Sequence, residues 1–238
     1  MRWTSGSGGA IAFFSVVAAV FAPAGRDAAA QSPSAPPPPY SRYVVVLDAA
    51  HGGEDTGARL EGGRLEKSFT LAFSVRLRSL LAARGMQVTT TREQDASVDA
   101  DRRAAIANHA RAQACLSLHA SQSGLGVHLY ISSLAPASTL RFAPWKTAQA
   151  AWVTRSLALA GLLNSTLQHN NVPVILGRTA LPGIDSMTCP TVAVEIAPEN
   201  ATGKDASGGK LDDPDYQAHV AEALAAALLE WRTEARQP

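Results

Sequence analysis

The sequence is poor in cysteine, and this scarcity restricts its metal and redox chemistry. Only Cys115 and Cys189 occur among the 238 residues, and they are far apart in the chain. Two separated thiols exclude a four-cysteine zinc site and a Cys-x-x-Cys redox motif. The two thiols could pair, but Cys115 lies in an apolar run and is equally consistent with a small buried residue. Any metal site in this chain would therefore use histidine and carboxylate ligands.

The sequence also lacks an excess of charge of either sign. Without residues 1–30 it carries 19 basic and 19 acidic residues, and it contains no long block of like charge. Proteins that bind nucleic acids usually concentrate basic residues on one surface. We therefore expect no nucleic-acid partner.

Long apolar runs are scarce, and the main one lies near the N-terminus. Arg2 precedes an apolar stretch at 10–21, which is shorter than the ~20 residues of a comfortable membrane span. The small residues at 28–30 form a cleavage signal typical of exported proteins. We predict a signal peptide at 1–30 and a Pro/Ser-rich linker at 31–42. The mature chain is then periplasmic or extracellular without a membrane span; an uncleaved N-terminal anchor is the alternative.

The remaining region, 43–234, alternates strand and helix patterns and has a size that suits one domain. Its order predicts a single α/β domain with a mixed, mostly parallel sheet of about six strands, flanked by helices on both faces. The fourth strand is expected to be hairpin-like, and Pro173 limits the fifth to an edge. The predicted strands are Tyr43–Leu47, Met86–Thr91, Ala114–Leu118, Gly126–Ser132, Val172–Leu176 and Thr191–Ile196. The predicted helices run from Leu65 to just before Gly85, and over Asp99–Ala112, Ala148–Gln168 and Asp213–Arg232.

Polar side chains occur at the carboxyl ends of three of these strands. His51 follows the first strand, His119 ends the third, and Glu195 lies near the end of the sixth. Ligands of open α/β sheets gather outside the carboxyl ends of the strands. Glu66, at the start of the first helix, adds a carboxylate. Two histidines and one glutamate would fill three positions of a tetrahedral zinc site and leave the fourth for water.

Each of these residues also has a structural explanation. Glu66 would complement the positive end of its helix. His119 is consistent with a hydrogen-bonded core histidine, and His51 with a residue chosen for turn geometry. Glu195 is hardest to explain in this way, because a carboxylate in a buried run must be paired, metal-bound or functional.

Several segments resemble the zinc-dependent N-acetylmuramoyl-L-alanine amidases, the type-three family of bacterial cell-wall amidases. They are YVVVLDAAHGGEDTGA, RLEKSFTLAFSVRLRSLLAARGMQVTTTREQD, RRAAIANHARAQACLSLHAS and PTVAVEIAP. The resemblance implies that 43–234 is a catalytic domain that cleaves the amide between N-acetylmuramic acid and the L-alanine of the stem peptide. It also implies one Zn²⁺ per chain, held by His51, Glu66 and His119, with Glu195 as the catalytic residue.

The resemblance also sets expectations for partners and leaves two alternatives. The partner is expected to be peptidoglycan, the protein is expected to be a monomer, and relatives leave room for a protein activator. The segment Ser133–Thr147 carries no acid, so we expect no carboxylate plug over the metal. A catalytically impaired peptidoglycan-binding or scaffold protein of the same fold is one alternative. A zinc peptidase that acts on a related peptide is the other.

The chain departs from the family pattern at three places around the site. Ala49-Ala50 replaces the usual proline-glycine before the first histidine, Ser121 replaces an asparagine, and Ile196-Ala197-Pro198 replaces a glycine-phenylalanine turn. None of these departures removes a ligand, but they put the loop geometry in question. The residues expected to support the site are Asp48, Gly57, Thr91, Arg92, Arg103, Asn108 and Ser117.

Four further residues are assigned smaller roles. We expect His128 to lie on the surface, with a position facing the cleft, on the strand face that it shares with Tyr130, as the alternative. We expect Arg178 to be a solvated loop residue, with contact to a peptide carboxylate as the alternative. Phe142 and Trp145 are expected to pack against the domain or to contact glycan.

Overall fold

The structure is a computed structural model that describes residues 43–137, 144–199 and 210–234. The predicted signal peptide at 1–30, the linker at 31–42 and Phe142 lie outside these ranges. Within them, no helix combines the length and the apolar character that crossing a membrane requires.

One six-stranded sheet forms the centre of the fold. Its strands are β1 (Val44–Ala49), β2 (Gln87–Thr90), β3 (Ala114–Ala120), β4 (Val127–Ser132), β5 (Val174–Thr179) and β6 (Thr191–Ile196). They lie in the order β2-β1-β3-β6-β4-β5. All neighbours pair in parallel except β4 and β6, which are antiparallel. The prediction of a mixed, mostly parallel sheet is therefore confirmed.

Two details of the strand predictions differ in outcome. β5 lies at the edge of the sheet, as predicted, but it begins directly after Pro173 and does not contain the proline. The fourth strand, by contrast, does not form a hairpin with the third. The connection from β3 passes β6, so β4 lies between β6 and β5. The order of the strands along the chain was therefore a poor guide to their neighbours in the sheet.

Among the described residues, five α-helices accompany the strands: α1 (Glu66–Ala83), α2 (Ala100–Ala110), α3 (Val153–His169), α4 (Pro182–Asp185) and α5 (Pro214–Glu234). Short 3-10 turns occupy Glu61–Gly63 and Trp145–Ala151. The four long helices match the predicted ones to within a few residues, with a 3-10 turn in place of the first residues of the third. The short α4 was not predicted, and its start at Pro182 follows the preference of proline for the first helical turn.

The two faces of the sheet are covered by different helices, as predicted. Alternate residues such as Val45 and Leu116 point to the face on which α1, α3 and α5 pack. Val46 and Cys115 point to the opposite face, where they pack with residues of α2. A Cys115–Cys189 disulfide lies among the residues on this second face and joins β3 to the segment before β6. The pairing that the sequence left open is thus present.

Candidate metal centre and its neighbouring glutamate

The carboxyl ends of β1, β3 and β6 meet at one edge of the sheet because these strands are parallel neighbours. This arrangement brings His51, which follows β1, close to His119 on β3. Glu66 reaches the same point from the first turn of α1. Candidate ligand atoms of these three side chains lie within 4.8 Å of one another. The residues that were expected to form a metal site are therefore close together in the fold.

Glu66 links the two histidines and is almost fully buried, with 5% of its surface exposed. Its Oε2 lies 3.2 Å from His51 Nε2, and its Oε1 lies 3.1 Å from His119 Nδ1. The backbone N–H groups of Ala58 and Ala120 also donate to this carboxylate. Burial by itself would raise the pKa of Glu66, but the contacts with His119 and His51 and the two backbone donors hold it well below its usual range. The carboxylate is therefore ionised and available as a ligand.

His51 occupies a turn in which its own backbone has the left-handed φ of 62°. Its Nδ1 lies 2.8 Å from the carboxylate of Asp55, which sequence reasoning had not singled out. A carboxylate partner on Nδ1 leaves Nε2 as the atom that faces Glu66, an arrangement common among metal-binding histidines. Hydrogen bonding to Glu66, opposed by burial and assisted by Asp55, raises the pKa of His51.

Gly57 makes room for this cluster. Its φ is +62°, and a Cβ built there would lie 2.6 Å from His51 Cδ2 and 2.7 Å from Glu66 Oε2. A side chain at this position would therefore collide with two of the three candidate ligands. The glycine that the family pattern places here has a steric reason in this structure.

Two buried arginines hold the loop that carries His51. Arg103 donates to the carbonyls of Ala49 and His51 at 2.7 and 2.8 Å, and Arg92 donates to those of Ala49 and Ala50 at 2.9 and 3.0 Å. Burial and the like charge of Arg103 lower the pKa of Arg92. The Ala49-Ala50 departure from the family pattern thus lies in a backbone segment that is fixed by several hydrogen bonds.

Asp48 balances the charge of Arg103 inside the protein. Its Oδ1 accepts from Arg103 Nη1 and from Thr91 Oγ1, and its Oδ2 accepts from Ser117 Oγ, each at 2.7 Å. A buried carboxylate that accepts three hydrogen bonds, one of them from a cation, is well compensated. Four of the residues expected to support the site therefore form one network behind the His51 loop.

Glu195 lies next to the candidate metal centre in the sheet. Its Cα pairs with that of His119 on β3 and with that of His128 on β4, so the three residues form one row across three strands. Directly paired residues point to the same face of a sheet. The Glu195 side chain is 30% exposed, and its Oε1 lies 2.8 Å from His128 Nδ1. The prediction that His128 lies on the surface was wrong: it is 6% exposed and contacts the expected catalytic residue.

An open cleft of about 350 Å³ adjoins the candidate metal centre. Its lining includes His51, His119 and Asp99, together with the apolar segment 181–184, which contains the first three residues of α4. Sequence reasoning missed this segment. The only signal for it was Pro182-Gly183, which is too short a pattern to identify a helix.

Arg178 and Trp145 lie away from this cleft. The Arg178 guanidinium donates to the backbone carbonyls of Ser132 and Leu134, and neither it nor Trp145 is among the residues that line the cleft. Trp145 is 51% exposed, so it packs only partly against the domain. Its contact with glycan stays a prediction.

The chain is similar in sequence to known amidases. A family model described as N-acetylmuramoyl-L-alanine amidase matches residues 45–230. The chain is 35% identical over 107 residues to the amidase AmiC of Neisseria meningitidis serogroup B, an alignment that covers 42% of this chain and 26% of that protein. It is 25% identical over 224 residues to the germination-specific amidase of Bacillus subtilis, covering 84% of each.

Among solved structures, the fold is similar to the catalytic domain of the amidase CwlV from Bacillus (Paenibacillus) polymyxa var. colistinus. The TM-score is 0.62 at 25% identity, and the match covers 80% of this chain and 98% of that domain. The chain spans only about a quarter of the length of the Neisseria relative. The similarity therefore concerns the domain that contains the cluster of His51, Glu66 and His119.

Proposed function

Because the chain belongs to the N-acetylmuramoyl-L-alanine amidase family, we propose that it hydrolyses the amide bond between N-acetylmuramic acid and the L-alanine of peptidoglycan stem peptides, with one zinc ion per chain. The observation that carries this proposal is the arrangement of four side chains. Candidate ligand atoms of His51, Glu66 and His119 lie within 4.8 Å of one another, close enough to bind one ion together. Glu195 is paired with His119 in the sheet.

The three donors suit zinc by their chemistry. Neutral imidazole and carboxylate are ordinary zinc ligands, and three protein ligands with an open fourth position are typical of catalytic sites. His51, Glu66 and His119 would hold the ion; when bound, zinc lowers the pKa of water and polarises the carbonyl of the substrate. The hydrogen bond from His51 to Asp55 orients the His51 ring for this role.

Glu195 is proposed to act as the general base and then as the general acid. Its carboxylate takes a proton from the water that attacks the amide carbon. It then gives this proton to the nitrogen of L-alanine as the C–N bond breaks. The products are a lactyl carboxylate on the sugar and a free amine on the peptide. A partly exposed carboxylate that is paired with His119 across β3 and β6 can reach both the water and the departing amine.

The test combines metal analysis with a digest of purified peptidoglycan that is read by mass spectrometry. We expect about one zinc per chain and stem peptides with a free L-alanine amine. A zinc-loaded protein that leaves muropeptides intact would contradict the proposal and favour a binding or scaffold role. Cleavage inside the stem peptide would instead indicate a zinc peptidase.

One substitution distinguishes the role of the metal ligands from the role of Glu195 as the base. We expect Glu195→Gln to keep zinc but to lose ~100-fold or more of the rate, because the amide cannot accept the proton. Glu61→Gln, an exposed residue of the 3-10 turn, is the matched control and should retain full activity. Loss of zinc from the Glu195→Gln protein would show that the division of roles is wrong.

The location and partners of the protein follow as proposals. An exported, periplasmic or extracellular protein suits a cell-wall substrate, and the Cys115–Cys189 disulfide is the kind of bond that persists in oxidising compartments. A protein activator would raise the rate of the peptidoglycan digest when an extract of the exported fraction is added. A rate that is unchanged by such an extract would argue against an activator.

A further inference from the structure

The contact between His128 and Glu195 has no role in the mechanism proposed above. We propose that His128 is a positioning residue, which holds one carboxylate oxygen of Glu195 so that the other oxygen faces the reacting water. This inference rests on the proposed function of Glu195 as the base. It concerns a residue outside the metal ligands, since His128 reaches Glu195 from β4, on the opposite side of β6 from His119.

The surroundings of His128 define which ring nitrogen carries the proton. The backbone N–H of Leu125 donates to His128 Nε2 at 3.3 Å, so Nε2 is an acceptor and is not protonated. The proton of the neutral ring is then on Nδ1, which lies 2.8 Å from Glu195 Oε1. His128 is therefore a hydrogen-bond donor to the carboxylate, and it needs no charge of its own for this role.

The ring of His128 has little freedom to move. It is buried, with 6% of its surface exposed, and it forms an edge-to-face contact with Tyr130 at 6.3 Å between ring centroids. On the other side the backbone of Gly124 lies so close that an added Cβ would be 2.1 Å from His128 Cε1. Gly124 also has a φ of +98°, so this approach depends on a glycine.

A fixed donor matters because Glu195 is the more exposed partner. Its side chain is 30% exposed and has three rotatable bonds, so without a contact it would sample several orientations. Within the described residues, only Oε1 has a hydrogen-bond partner, and Oε2 remains available for water. A base held in the productive orientation before the reaction loses less entropy in the transition state, which affects kcat more than KM.

The kinetic test compares two replacements of His128 in the zinc-loaded protein. His128→Leu removes the donor, and we expect kcat to fall about 10- to 100-fold while KM and zinc content stay the same. His128→Asn keeps an N–H near the position of Nδ1, and we expect it to restore most of the lost rate. His169→Leu, at an exposed histidine, is the control and should not change kcat.

A double-mutant cycle removes structural explanations. In the Glu195→Gln background, His128→Leu should cause no further loss, because the base that it positions is already absent. Equal losses in both backgrounds would overturn the proposal, as would a parent-like kcat in His128→Leu or equal rates in the Leu and Asn variants. If Glu195→Gln itself retains activity, the assignment of the base fails instead, and the two failures are thus distinguishable.

A spectroscopic measurement on the unmodified protein is independent of activity. Nitrogen-15 NMR of labelled histidines distinguishes the two neutral tautomers, and we expect His128 to carry its proton on Nδ1. A proton on Nε2 would leave no donor toward Glu195 and would overturn the proposal even if the variants do not fold.

Discussion

Replacing Arg103 with methionine should destabilise the domain far more than removal of an exposed arginine. Arg103 and Asp48 are only 10% and 7% exposed at their side chains, and their charged atoms are 2.7 Å apart. Methionine keeps much of the volume of the arginine stem but leaves the Asp48 carboxylate without its cation. Removing one partner of a buried ion pair typically costs about 3–5 kcal/mol, mostly because a buried charge is left uncompensated. We expect Arg103→Met to lower the free energy of unfolding by about this amount.

The matched control is Arg78→Met. Arg78 and Glu93 form an ion pair of similar length, 2.8 Å, but their side chains are 37% and 73% exposed. Exposed pairs of this kind contribute about 0–1 kcal/mol. Urea unfolding of both variants in metal-free buffer measures the difference. A loss in Arg103→Met no larger than that in Arg78→Met would refute the reasoning.

A double variant tests the mechanism of the loss. Asp48→Asn added to Arg103→Met removes the uncompensated charge, so we expect the free energy of unfolding to recover in part. We expect zinc affinity to be about 10- to 100-fold lower than in the parent protein in Arg103→Met, because the carbonyl of His51 lacks its donor. The double variant should show the same loss, because it lacks this donor as well. Competition with a chelator measures this affinity. Full recovery of zinc affinity would show that Arg103 acts only through Asp48.

Three further predictions concern the metal centre and the disulfide. Gly57→Ala should abolish tight zinc binding, because its Cβ would collide with the ligands, whereas Gly62→Ala, with a φ of +69° and no atom within 4 Å, should bind zinc normally in the same titration. Replacing Cys115 and Cys189 with alanine should reduce the free energy of unfolding in urea by roughly 4 kcal/mol on the loop-entropy model, because the bond closes a 74-residue separation. Without metal, the raised pKa of His51 means that its contribution to stability is complete below its ordinary pKa of about 6.5 and is lost as the pH rises through the higher folded value. Comparison of the metal-free protein with His51→Gln by urea unfolding between pH 5 and 8 should therefore show a difference that shrinks as the pH rises; a growing difference would contradict the assignment.

The parts of the fold that follow from local patterns were predictable. The six apolar runs and the helical spacing of Phe69, Phe73 and Leu77 depend on residues near one another in the chain, and all gave elements of the expected type. Pro173 gave the expected edge position only indirectly, because β5 begins directly after it and the missing N–H lies outside the strand. Strand neighbours are different, since they are decided by packing across long separations. The position of β4 beside β6 could not be derived from either strand alone.

The same distinction explains what was found and missed at the site. His51, His119 and Glu195 were identifiable because each follows or ends an apolar run, and Glu66 because it begins a helix. Asp55 was missed and His128 was expected on the surface, because nothing in their own segments connects them to the site. Alternation placed His128 on one face of its strand, but only the pairing of β4 with β6 brings it to Glu195. A residue that acts through another is recognisable once the neighbour is known.

The single antiparallel pairing in the sheet explains how the row His119, Glu195, His128 can exist at this edge. β3 and β6 end here, so their polar residues come last in each strand. β4 runs in the opposite direction and begins here, so His128, its second residue, comes two residues after the Gly124–Gly126 turn. That turn supplies the Leu125 N–H that fixes the ring and the glycine that permits its close approach. A parallel strand in the place of β4 would present its last residues to Glu195 and would leave this entering loop at the far edge of the sheet. The reversal of one strand therefore brings a rigid hydrogen-bond donor to a residue that the parallel strands alone would leave exposed and mobile.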